Sequence, residues 1–218
     1  METRVIKVAL LGAGTVGGGV YKVNEWQKEE MPYKTGASLE IKKVLVRNAK
    51  KSRPGIPDEI LTENWQEIVE DPEIEIVIEL MGGIEPAKTY ILEALNAGKH
   101  VLIEKPMAMN VDDAYKMIET AKKNGKLLMV GQNQRFNTGH ERAKELIEQG
   151  IIGKPLTFKT TFGHGGPERW CADDDGKIST DIWFFDKSIA SMGAMAGLGI
   201  HKTDLIQYLL GEKIVSVS

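Results

Sequence analysis

The stretch Val5-Ile6-Lys7-Val8-Ala9-Leu10-Leu11-Gly12-Ala13-Gly14-Thr15-Val16-Gly17 decides the fold. Its apolar run reads as a strand buried in a parallel sheet. Three glycines break that run at the Gly-x-Gly-x-x-Gly spacing, and Val16, Val20 and Val23 then recur at helical spacing. A strand, a glycine turn and a helix in that order make a dinucleotide cradle. Gly12 allows a sharp turn, Gly14 keeps a β-carbon away from a pyrophosphate, and Gly17 lets helix and strand pack closely. The helix start at Thr15 and Val16 offers unpaired N–H groups to phosphate. A structural glycine turn that binds nothing shares this local pattern, so the rest of the chain has to discriminate.

Working outward, residues 39–46 read as a second strand after a loop at 31–38 marked by Pro32 and Gly36. A short helix near 65–70 precedes a strand at 74–80, which Gly82-Gly83 ends. Pro86 opens a helix to about 96, and residues 100–103 form the next strand. Asn110 caps a helix through 121, and 127–130 is a further strand. The βα alternation predicts an α/β protein, with a Rossmann-type doubly wound parallel sheet over residues 1–134. Ligands of such sheets collect at the carboxyl ends of the strands. That edge carries residues 12–17, Arg47, Gly82, Glu104, Lys105 and residues 131–135.

The pattern changes near residue 136. Thr138 and Glu141 have capping-box spacing, starting a helix to about 149. Residues 156–162 alternate as a strand, 201–210 form a helix, and 213–217 read as another strand. Two strands and two helices cover a sheet face poorly. Residues 135–218 therefore read as an apparently truncated α/β domain, or as a small cap domain.

Composition narrows the function classes. Hydrophobic residues make up 42% of the 218, enough for a sizeable core, and the net charge of -3 comes without a basic stripe suited to nucleic acid. One cysteine, Cys171, rules out an internal disulfide framework. The amino-terminal sequence has no convincing signal-peptide pattern, and no apolar run is long enough for a membrane span. These features predict a cytoplasmic protein without membrane or nucleic-acid partners. The mixed run His164, Glu168, Cys171, Asp173, Asp174 and Asp175 lacks zinc-ligand spacing, so no metal is expected.

The segment after the second strand, Val46-Arg47-Asn48-Ala49-Lys50-Lys51-Ser52-Arg53, holds no acid to bind adenosine ribose hydroxyls. Arg47 can instead pair with a 2′-phosphate, so NADP is expected over NAD; a solvated basic loop is the alternative. Lys105, just past a buried strand, can orient a substrate hydroxyl and stabilise developing negative charge. His201 and Asp204 share a helical face at i,i+3 spacing; the histidine can exchange a substrate proton, while the aspartate contacts substrate, orients the ring or ties down the helix. Asn133 suits a nicotinamide carboxamide or a substrate hydroxyl, whereas Arg135 suits a structural lock. Trp170 and Trp183 can bury apolar area over a substrate or pin their loop.

Ala97-Gly-Lys-His-Val-Leu-Ile-Glu-Lys-Pro106, Val130-Gly-Gln-Asn-Gln-Arg-Phe136 and Gly199-Ile-His-Lys-Thr-Asp-Leu205 together resemble the glucose–fructose oxidoreductase/inositol dehydrogenase (Gfo/Idh/MocA) family. The resemblance implies a nucleotide-binding domain, then a mostly antiparallel α/β domain carrying the substrate wall and an oligomer interface. It implies NAD(P)-dependent hydride exchange on a sugar, cyclitol or related hydroxy compound. The family's conserved lysine falls on Lys105 and its catalytic histidine on His201. The family often has an aspartate four residues before that histidine, where this chain has Gly197, which implies a variant substrate arrangement or impaired turnover.

The front half is also similar to homoserine dehydrogenase, through residues 10–19, Val44-Leu-Val-Arg47 and Val77-Ile-Glu-Leu-Met-Gly-Gly-Ile-Glu-Pro-Ala87. That similarity ends near residue 101 and makes a small amino-alcohol substrate the weaker alternative. A dinucleotide-binding regulatory protein that has lost turnover is the remaining alternative.

Overall fold

A computed structural model describes residues 3–163, 185–186 and 193–217. Their contacts divide the chain into two units, residues 1–130 and 131–218. The expected junction lay slightly later, at 134/135. The difference has a local cause: the 3₁₀ turn Asn133–Phe136 is tied into the second unit through Arg135, which binds Asp204.

In the first unit, β1 (Arg4–Leu11) leads through the glycine turn into α1 (Thr15–Trp26). A five-residue helix, α2 (Met31–Thr35), follows where a loop was expected, started by Pro32 and closed by Gly36 at φ +78°. Next come β2 (Ala37–Leu45), β3 (Leu61–Thr62) and α3 (Gln66–Val69). The unit finishes with β4 (Ile74–Glu79), α4 (Ala87–Asn96), β5 (His100–Ile103), α5 (Val111–Lys123) and β6 (Leu128–Val130). The Asn110 side chain accepts from the Asp113 N–H at 2.8 Å, capping α5 as its sequence predicts.

All six strands pair in parallel, in the order β3-β2-β1-β4-β5-β6. The chain therefore reverses direction across the sheet between β1 and β4, which puts the topological switch point at their carboxyl ends. Two apolar layers hold the sheet. One combines Leu11, Val77 and Ile103 with Ile91 and Leu95 of α4 and Met117 of α5. The other joins Val8, Leu10, Ile41 and Val44 to Val20 and Tyr21 of α1. Burial on both faces explains why the carboxyl half of β1, Val8 to Leu11, reads as an unbroken apolar run.

A buried lysine and an ion-pair cluster lie near the start of β4. Lys99 donates to the Asp71 and Ile74 carbonyl oxygens at 2.7 and 3.0 Å, and burial pulls its ammonium below the usual lysine range. Lys42 bridges the Asp71 and Glu73 carboxylates.

In the second unit, α6 (Thr138–Glu148) and α7 (Ile200–Leu210) are joined in space by the Asn133–Phe136 turn. The expected capping box is corrected. Asn137 is the cap, its side chain accepting from the Gly139 N–H at 3.0 Å, and Thr138 already lies inside the helix. A π-helical turn, Met195–Gly199, runs directly into α7. Consequently His201 sits inside a continuous helical segment, not at the helix start its sequence suggested.

The expected strands at 156–162 and 213–217 are also corrected: both segments lack ladder partners among the described residues. Leu156 and Val215 are 87% and 95% exposed. Alternation marks residues that could line a pleat, but a strand exists only when a neighbour takes up its backbone hydrogen bonds.

Candidate functional site

The glycine turn is shaped by contacts at its own backbone. Gly12 has φ +104°, and a β-carbon there would lie 2.8 Å from the Leu80 carbonyl oxygen. Its N–H donates to the Leu45 carbonyl at 2.9 Å, so β1, β2 and the end of β4 all meet at this residue. A β-carbon on Gly17 would fall 2.1 Å from the Gly12 carbonyl oxygen. The absence of that carbon lets α1 sit on the turn itself, a closer approach than simple helix–strand packing. At Gly14 a β-carbon would meet nothing within 4 Å. Gly14 is exposed, open space lies beyond it, and it is the N-cap of α1 without a capping side chain. No acidic side chain stands in the first turn of α1, and Thr15 and Val16 are exposed. Open space beside uncapped N–H groups at a helix start fits a dinucleotide pyrophosphate.

Arg47 is exposed immediately after β2. The loop behind it is held by Arg53, which donates to the Asn48 and Lys51 carbonyl oxygens at 2.9 and 2.7 Å. Arg53 is thus engaged within the loop. Glu63, distant in sequence, accepts from the Ala49 N–H at 2.8 Å and brings a carboxylate to this corner. Gly82 is exposed in the turn after β4.

Past β5, Glu104 and Lys105 are half-buried, and the Lys105 N–H donates to the Glu104 carboxylate at 3.2 Å. The Lys105–Pro106 peptide is cis. Glu79, the last residue of β4, was missed by sequence reasoning. It is 6% exposed and accepts the Met81 N–H at 2.6 Å. Burial pushes its carboxyl up to about 7; the Met81 hydrogen bond opposes this, and the negative charge of Glu104 adds to it. A carboxylate at the end of an apolar strand was the available signal.

In the second unit, Arg135 donates from Nε to Asp204 at 2.8 Å and also binds the other carboxylate oxygen. Arg135 and Lys144 both approach the Tyr208 ring, at 5.5 and 5.1 Å from its centroid. Asp204 thereby braces the Asn133–Phe136 turn against α7, the structural alternative offered for both residues. Asn133 is exposed on that turn. His201 is 7% exposed, with the Phe162 ring edge-on at 5.8 Å. Gly197 lies in the π-helical turn, where a β-carbon would meet nothing within 4 Å. Trp170, Trp183 and the run from His164 to Asp175 lie outside the described residues.

Comparison with known proteins accords with this geometry. Residues 6–132 match the Gfo/Idh/MocA model, described as an oxidoreductase family with an NAD-binding Rossmann fold, and residues 140–218 match the Gfo/Idh/MocA C-terminal domain. The chain belongs to the Gfo/Idh/MocA oxidoreductase family. Levoglucosan dehydrogenase from Pseudarthrobacter phenanthrenivorans is 30% identical over 209 residues, covering 93% of this chain and 52% of that protein. Homoserine dehydrogenase from Bacillus subtilis is 37% identical over 123 residues, covering 56% of this chain and 28% of that protein. A solved levoglucosan dehydrogenase, in complex with NADH and levoglucosan, superposes with a TM-score of 0.74 at 26% identity, covering 96% of this chain and 55% of that one. The chain thus spans about half the length of the levoglucosan dehydrogenase it matches.

Proposed function

We propose that this chain carries the catalytic machinery of an NAD(P)-dependent dehydrogenase acting on a sugar, cyclitol or related hydroxy compound. The observation that carries the reading is the open cradle at Gly14, beside the uncapped start of α1 and at the switch point of the sheet. The similarity to levoglucosan dehydrogenase extends over nearly the whole chain, whereas that to homoserine dehydrogenase covers little more than half. This favours a sugar-like over an amino-alcohol substrate.

A nicotinamide dinucleotide held there would supply the hydride acceptor or donor. Residues 12–17, with Gly82 and Glu104, would hold its phosphates and ribose. Arg47 would take a 2′-phosphate, making NADP the preferred form. Lys105 would bind and polarise the reacting oxygen, and His201 would exchange its proton. Asn133 and Trp170 would contact substrate, with Asp204 acting through its brace on α7. The domain division is proposed to be functional, with dinucleotide in residues 1–134 and substrate and oligomer contacts in 135–218.

Gly197 favours a second reading, in which the chain binds dinucleotide as a regulatory protein without turnover. A panel of levoglucosan, inositols, other polyols and homoserine, followed by reduced-nicotinamide absorbance with NAD⁺ and NADP⁺, separates the readings. Turnover on a sugar-like compound that falls at least a hundredfold in Lys105→Met supports the first. Cofactor binding without turnover across the panel supports the second.

A further inference from the structure

The carboxyl edge of the sheet contains a buried acid to which the proposed chemistry assigns no task. We propose that Glu79 is a positioning residue of the dinucleotide site, holding the turn on which Gly12 rests and setting the charge felt by the bound nucleotide. The inference rests on the dinucleotide reading above.

The mechanical part follows from three contacts. Glu79 accepts the Met81 N–H at 2.6 Å, while the Leu80 N–H donates to the Leu11 carbonyl at 2.9 Å. The peptide fixed between them is the one Gly12 lies against: its missing β-carbon would sit 2.8 Å from the Leu80 oxygen and 3.3 Å from the Met81 nitrogen. Glu79, Leu80–Met81 and Gly12 therefore form a continuous chain of contacts from a buried carboxyl to the cofactor turn. A side chain that moves Met81 moves the surface against which Gly12 is seated.

The electrostatic part follows from the surroundings. Glu79 pairs in register with Leu11 of β1 and Ile103 of β5, both uncharged. It shares a sheet face with Val77, whose layer is completed by Ile91, Leu95 and Met117. The charge acting on it is that of Glu104, from the turn after β5, with the cationic Lys105 next in sequence. Burial and Glu104 hold Glu79 protonated until about neutral pH. Its ionisation then adds a negative charge at the switch point, where the dinucleotide would lie. The oxidised nucleotide carries one more positive charge than the reduced one, so ionised Glu79 disfavours NADH relative to NAD⁺. By linkage, NADH raises the affinity of Glu79 for its proton more than NAD⁺ does.

The test measures dissociation constants of NAD⁺ and NADH from pH 6 to pH 8.5, for the wild type and Glu79→Gln, at fixed ionic strength. Glutamine can still accept from Met81 but cannot ionise. For the wild type, the ratio Kd(NADH)/Kd(NAD⁺) is expected to rise roughly three- to tenfold across this range. In Glu79→Gln the ratio stays flat. Glu79→Leu, which cannot accept from Met81, is expected to weaken both nucleotides at every pH.

A measurement on the unliganded wild type avoids dependence on variant folding. The Met81 amide resonance should titrate with a midpoint near 7. A Met81 amide insensitive to pH, or a Glu79→Gln ratio that rises as in the wild type, overturns the proposal while leaving the dinucleotide reading intact. Failure of the folded wild type to bind either nucleotide overturns both.

Discussion

Gly17 and Gly12 touch so closely that a β-carbon on Gly17 would lie 2.1 Å from the Gly12 carbonyl oxygen. The atom in the way is backbone, held by the Gly12 N–H bond to Leu45, so it cannot swing aside as a side-chain tip would. Gly17→Ala is expected to cost roughly 1–3 kcal/mol and to weaken dinucleotide binding by displacing the turn. Gly19→Ala, in the same helix with nothing within 4 Å of the added carbon, is expected to stabilise by about 0.5–1 kcal/mol. Denaturant unfolding of both variants checks the contrast; equal effects would mean helix propensity alone governs α1.

Glu79 gives the fold a specific pH dependence. Its carboxyl is raised from 4.5 to about 7 in the folded chain. The unfolded chain therefore loses this proton at lower pH than the folded chain does. Stability falls as pH rises from about 4.5 to about 7 and is level beyond, by on the order of 3 kcal/mol at most. Glu67 and Glu73, lowered by hydrogen bonds from Lys43 and Lys42, act in the opposite sense and lose their contribution as pH falls through the acid range. The difference between wild type and Glu79→Gln isolates the Glu79 part: the variant should gain relative stability from pH 5 to pH 7.5 in unfolding titrations. A constant difference would assign Glu79 an ordinary pKa.

Arg135 and Asp204 define the brace in the second unit. The arginine side chain is 44% exposed and the aspartate 12%, so solvent screens the pair and its coupling should be about 1 kcal/mol. A double-mutant cycle with Arg135→Ala and Asp204→Asn measures it. Arg135→Ala alone should cost more than the coupling, because it also leaves Tyr208 without one of its two cations. Coupling near zero would return Asp204 to consideration as a substrate contact.

Gly197 stands in the π-helical turn with open space where a β-carbon would go. Gly197→Asp should therefore fold with stability within about 1 kcal/mol of wild type. If the lack of the aspartate common in the family is what limits turnover here, activity on the polyol panel rises in this variant. Unchanged activity with unchanged stability would show that the chain uses a different substrate arrangement.

Five of the six strands were legible because each is local information, an apolar run closed by Gly, Pro or Asn; β3, only Leu61–Thr62, escaped because two residues carry no periodicity and its pairing to Val44 and Leu45 is non-local. The glycine spacing likewise announced its own geometry, since φ +104° at Gly12 admits little else. What escaped was non-local. Residues 156–162 and 213–217 carry strand-like alternation without a pairing neighbour among the described residues, and alternation cannot supply one. Asn137 rather than Thr138 caps α6, a choice between two adjacent capping residues that depends on where the helix axis begins. Asp204 was legible as part of the family motif, but its bond to Arg135 joins residues 69 apart in sequence. Glu79 was hidden for a related reason: its significance lies in burial and in Glu104, neither visible along the strand.

The central claim is that a dinucleotide lies in the cradle opened by Gly14, and one titration tests it directly. NADH and NADPH binding would be followed by cofactor fluorescence for the wild type and Gly14→Val, with melting curves on both. The account predicts saturable binding by the wild type, tighter for NADPH. It predicts at least a tenfold loss in Gly14→Val with little change in Tm, since the added side chain enters space that the fold itself does not use. Undiminished binding by Gly14→Val, or no binding by a folded wild type, would contradict it.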